Sequence, residues 1–156
     1  IVGALLILTA VLAWVGRSSA GDPHPAVAAM NLLGGFALVG LLWWLRLRQS
    51  RPRMPTAIEL ATLAAIVLQI ALGAALSVSR VGPPILAAHA VLGLAFAGLC
   101  FRLRSAPLIV LSSAQVLLGG TMALTQLPFA LVYSHNLLAV LLLAATIHAL
   151  HRPRAA

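Results

Sequence analysis

Charge is what this chain most conspicuously lacks. Only 8% of its 156 residues are charged, and just two, Asp22 and Glu59, are acidic. Soluble domains carry about 25% charged residues, so a soluble globular fold is excluded. The composition is 62% hydrophobic and the mean hydropathy is +1.09, as expected of an integral membrane protein. The formal charge of +8 does not indicate nucleic acid, because no polar face exists to carry it; the arginines stand at the ends of apolar runs. Cysteine is nearly absent too. Cys100 stands alone, without a CxxC partner, so no internal disulfide forms and no redox compartment follows. The sequence opens on Ile1 with an apolar run to Val15, shorter than the roughly 20 residues that cross a bilayer. Ser18-Ser19-Ala20 loosely fits a cleavage pattern, but the basic segment of a signal peptide is missing. The expectation is a chain that begins inside or just before its first helix.

Internal repetition is what the chain has instead. Gln69-Ile70-Ala71-Leu72-Gly73 is answered forty-six residues later by Gln115-Val116-Leu117-Leu118-Gly119, and His89 by His135 at the same offset. Four positions sharing one offset indicate two copies of one helical hairpin with equal loops. Six apolar segments follow, at about 1–16, 26–45, 57–79, 84–102, 106–126 and 128–150, separated by short stretches in which prolines cluster. Helices are the expected spanning structure, since backbone in lipid must satisfy its own hydrogen bonds. The first hairpin reads as a degenerate copy: Pro25 precedes Met30 as Pro84 precedes His89, placing Met30 at the histidine position. The expected fold is all-α, with six transmembrane helices as three repeated hairpins. Residues 1–55 form the degenerate first hairpin and residues 56–156 a four-helix bundle.

Arginine placement predicts orientation. Arg46, Arg48, Arg51 and Arg53 follow the second segment, Arg102 and Arg104 the fourth, and Arg152 and Arg154 the sixth, leaving Arg17 and Arg80 for the other side. The positive-inside rule then puts both termini in the cytoplasm of a cell membrane. Trp43 and Trp44 at the inner end, with Trp14 and Tyr133 toward the outer end, suit an aromatic belt.

The candidate chemistry lies in the repeated histidine. An ionisable side chain inside a membrane helix is costly and by default marks a site. His89 and His135 are placed at similar depths in the outer half and would meet inside the bundle, where facing side chains build cofactor and metal sites. Two imidazoles across an apolar bundle match bis-histidine ligation of haem iron, with one haem b filling the pocket. One turn beyond each histidine stands a small residue, Gly93 or Ala139, that lets the macrocycle edge approach the backbone. Gly73 and Gly119 on the odd helices serve the same approach or helix packing. Zinc is disfavoured for want of a third ligand. The bland alternative is a histidine hydrogen-bonded to local groups such as Ser134 or Asn136. Gln69 and Gln115, nearer mid-membrane, are expected to be interhelical hydrogen-bond formers. His148 and His151 read as interfacial residues, although His148 could ligate a second haem; His24 lies in an outer loop, and Met30 could serve as a thioether ligand or as core filler.

The run Gln115 to Gly119 followed by Pro128, His135-Asn136 and His148-Ala149-Leu150-His151-Arg152 resembles the last two helices of the haem A synthase family of cytochrome oxidase assembly proteins. Gln69 to His89 resembles the preceding hairpin, so the likeness covers about residues 57–152. The resemblance implies repeated hairpins, four-helix bundles and paired histidines near the outer face holding haem. It also marks departures. The family has eight helices, a glutamate a few residues ahead of a ligating histidine in its catalytic half, and in many members an outer-loop cysteine pair; Asp22 and Glu59 match no such glutamate, and the cysteine pair is absent. The resemblance therefore implies the haem-holding bundle, in haem handling for oxidase assembly, while oxidation of a haem methyl would need a carboxylate from elsewhere or from a partner chain. Two other roles stay open: a b-type cytochrome subunit passing electrons within a respiratory membrane complex, and a structural or pigment-binding subunit of a larger assembly. Lipid, haem and possible partner subunits are the expected partners.

Overall fold

The computed structural model describes residues 2–18, 24–47, 54–78, 83–125 and 129–151. Six helices appear among them: α1 (Val2–Ser18), α2 (Pro25–Leu47), α3 (Ala57–Val78), α4 (Pro83–Arg102), α5 (Ala106–Leu124) and α6 (Phe129–His151). Each expected segment corresponds to one helix, with ends displaced by at most two residues. The second to sixth are long and apolar enough to cross a membrane; the first is a shorter apolar helix. The chain is an all-α membrane protein. Arg48, Arg51, Arg53, Arg80, Arg152, Arg154, Asp22 and Pro128, used above for orientation and motif, lie outside the described residues.

Local chemistry sets the helix starts. Pro25 and Pro83 open α2 and α4 and Pro107 lies in the first turn of α5, where no backbone hydrogen bond is lost. Before α3, the Thr56 N–H donates to Glu59 Oε2 at 2.7 Å and the Glu59 N–H donates to Thr56 Oγ1 at 3.4 Å, a reciprocal capping box. Between α4 and α5 the chain reverses through Arg104 at φ 52°, the left-handed conformation common just past a helix end.

Helices α3, α4, α5 and α6 close a ring in that order, because each packs on the next and α6 packs back on α3. The diagonal pairs α3/α5 and α4/α6 make no backbone approach. The ring carries the forty-six-residue repeat as pseudo-twofold symmetry about the bundle axis. Seven residues below Gly73, His89, Gly119 and His135 stand Ile66, Phe96, Ser112 and Leu142; eleven below stand Thr62, Cys100, Leu108 and Thr146. At 1.5 Å per residue these are layers about 10 and 16 Å from the histidines. All eight are at most 3% exposed, so this half of the bundle is a dry, closed core. The Thr62, Thr146 and Ser112 hydroxyls donate to carbonyls of their own helices, which satisfies them there.

Helix α2 lies outside the ring against α3 and α6, and α1 packs on α2 alone. The first hairpin nonetheless repeats a packing detail of the second. The Leu12 side chain fills the notch at Gly34 as the Gln69 side chain fills that at Gly93, so Leu12 and Met30 stand where Gln69 and His89 stand.

Candidate metal centre

The histidine pair arises from diagonal helices. His89 on α4 and His135 on α6 project into the ring, and their ring centroids lie 6.4 Å apart with planes inclined at 52°. Each ring is seated by a glycine of the preceding helix. A Cβ at Gly73 would stand 3.3 Å from His89 Cε1, and one at Gly119 3.2 Å from His135 Cε1. The room at these glycines is thus taken by the imidazoles themselves.

Gln69 ties the first histidine to α3. Its amide nitrogen donates to the His89 carbonyl at 2.9 Å and lies 3.3 Å from His89 Nε2. A carbonyl can only accept, so the atom between them is the amide nitrogen, and His89 Nε2 must then accept with an unprotonated lone pair. That lone pair is the form a metal binds. Gly93 permits the arrangement, because a Cβ there would come within 2.9 Å of the amide nitrogen. The second repeat differs in sequence at this point, with Ala139 in place of Gly93.

Four buried polar atoms gather here unpartnered among the described residues: Nδ1 of both histidines and Oε1 of both glutamines. Each such atom costs about 1–3 kcal/mol, and the concentration of that cost at one level sets the histidine end apart from the closed core below it.

The centroid separation is that of two imidazoles set trans across one metal. A metal–nitrogen bond of about 2.0 Å plus roughly 1.1 Å from nitrogen to ring centre, doubled, gives about 6.2 Å, against 6.4 Å observed. Among the described residues no group of three or more His, Cys, Asp or Glu could enclose a metal ion. A haem iron would bring its remaining ligands with it, the porphyrin nitrogens. Turning His89 Nε2 to iron would cost Gln69 one contact and leave its 2.9 Å bond to the carbonyl intact.

The other candidates lie elsewhere. Met30 is 54% exposed on α2, outside the ring. His24 caps α2, its Nδ1 accepting from the Ala26 N–H at 3.3 Å. His151 Nδ1 bonds the Ile147 carbonyl at 2.8 Å. Ser134 donates to the Ala130 carbonyl, within its own helix turn. His148 lies thirteen residues along α6 from His135, about 20 Å at helical rise, with its ring 6.5 Å from that of Trp43. A cavity of about 750 Å³ is an open apolar cleft between α2, α3 and α6 and is not lined by the histidine pair.

No family model matches the chain. Neither a curated protein nor a solved structure shows significant similarity to it. The site therefore rests on its own geometry. Sequence reasoning passed over the Thr56–Glu59 capping box, although its S/T-x-x-E spacing was readable, and the seating of each ring by a glycine, which needs the packed helices to be seen.

Proposed function

We propose that this chain is a haem b-binding membrane protein in which His89 and His135 are the two axial ligands of one iron. The observation that carries the reading is the convergence of two imidazoles from diagonal helices to a 6.4 Å separation. Gly73 and Gly119 hold the rings in place, Gln69 positions His89, and Gly93 and Ala139 are the small residues one turn beyond the ligands. Bound haem would supply reversible one-electron chemistry, or would be cargo in transit.

The role proposed is haem handling for cytochrome oxidase assembly, in keeping with the resemblance to haem A synthase. Oxidation of a haem methyl is not part of the proposal. Of the two acidic residues, Asp22 lies outside the described residues, and the Glu59 carboxylate accepts in the capping box of α3, at the opposite end of that helix from Gly73. The same observation favours electron transfer within a respiratory membrane complex as the second reading, because an electron carrier needs no carboxylate at its iron. The eight arginines on one side against two on the other support a histidine end facing outward and cytoplasmic termini.

Purification from haem-replete cells tests the binding. One haem b per chain by pyridine haemochrome assay is expected, and a colourless protein refutes it. Turnover of haem O to haem A by the pure protein would restore the catalytic role set aside here.

A further inference from the structure

A second cleft lies at the arginine-rich end, far from the histidine pair. Helices α2 and α5 both pack on α6 but not on each other. The gap between them, about 380 Å³, has a floor of small α6 residues that includes Ala144 and Ala145. Its walls include Trp43 on α2 and Pro107 and Leu111 on α5, and its polar groups are His148 and Ser105. Because α2 and α5 span the membrane, the cleft is reached from the lipid phase.

Two features set it apart from an ordinary lipid-facing groove. His148 Nδ1 is buried and has no hydrogen-bond partner among the described residues. With Nδ1 enclosed by the protein, Nε2 is the ring nitrogen left to meet an occupant of the cleft. Ser105, at the N-cap of α5, makes no capping bond with its side chain. The cleft thus offers an imidazole, a hydroxyl and the indole of Trp43, whose ring centroid is 6.5 Å from that of His148, within otherwise apolar walls.

We propose that this cleft binds the head group of a lipid-phase quinone or quinol. A planar ring suits the Trp43 face, and the volume falls in the range of about 300–1,000 Å³ typical of small-molecule pockets. Imidazole and hydroxyl can each donate to a quinone carbonyl and accept from a quinol hydroxyl, so one pair of side chains serves both forms. The proposal does not depend on haem at the other end.

The test is tryptophan fluorescence in phosphatidylcholine nanodiscs, in a Trp14→Phe/Trp44→Phe background where Trp43 is the only tryptophan. Menadione and decylubiquinone should quench Trp43 saturably, whereas naphthalene, flat but without carbonyls, should bind at least tenfold more weakly, the scale of one or two hydrogen bonds. His148→Leu should weaken quinone binding by about the same factor, and His148→Gln, which keeps a donor and an acceptor, should recover most of it. Quenching that does not saturate, naphthalene binding as well as menadione, or full affinity in His148→Leu overturns the proposal and leaves a groove for lipid chains. The comparison of ligands on unaltered His148 decides the matter even where a His148 variant fails to fold.

Discussion

Gly119→Ala should damage the histidine site, while Gly120→Ala, one residue along the same helix, should not. The added Cβ at 119 would stand 3.2 Å from His135 Cε1 and 3.8 Å from Nδ1, whereas one at 120 meets nothing within 4 Å. Carbon atoms rest at about 3.5–4.0 Å, so the ring or α5 must give way by roughly 0.3–0.8 Å. Ligand distances in metal sites are held to about 0.2 Å. The displacement therefore exceeds what a shared metal tolerates. Both substitutions gain about 1 kcal/mol of helix propensity, and that common term cancels in the comparison. What remains is the overpacking at 119, about 1–3 kcal/mol. The assay is haem content per chain together with the thermal unfolding midpoint, measured side by side. Gly119→Ala should fall below Gly120→Ala in both. Equal haem content and equal midpoints would refute the claim that the glycine seats the ring.

Gly93→Ala should push the Gln69 amide off the His89 carbonyl and make the first repeat resemble the second, at a cost of about 1 kcal/mol; Gln69→Ala measured in parallel should show the same loss, and additivity of the two would contradict it. Thr56→Ala should lower stability by about 0.5–2 kcal/mol through the α3 cap, with haem content per folded chain unchanged, and Glu59→Gln, which keeps the capping-box acceptor, should leave both nearly unchanged; loss of haem from Glu59→Gln would give that carboxylate a role in the site. Arg80→Cys in a Cys100→Ala background should react with a membrane-impermeant maleimide from outside the cell; labelling only after the membrane is opened would invert the orientation.

Much of the fold was legible in the sequence because lipid leaves so few choices. Apolar runs bounded by proline and arginine placed all six helices to within two residues, and the forty-six-residue offset paired α3–α4 with α5–α6. The layers at Ile66, Phe96, Ser112 and Leu142 and at Thr62, Cys100, Leu108 and Thr146 obey the same offset, so the closed core was implicit in the repeat too. What periodicity could not show was which helices face one another. These helices are apolar on every side, and their ring order follows from packing, so the diagonal approach of His89 to His135 appears only in three dimensions. The glycines illustrate the limit. Gly73, Gly93 and Gly119 were readable as small residues near the histidines, but only the structure separates the two that seat imidazoles from the one that admits Gln69.

The central claim is that His89 and His135 clasp a single iron. Low-temperature electron paramagnetic resonance of the oxidised, purified protein tests it most directly. The account predicts a low-spin ferric signal of one spin per chain, converted to high spin or lost in His89→Ala and in His135→Ala alike and retained in His148→Ala. A low-spin signal that survives removal of either of the first two histidines would contradict it.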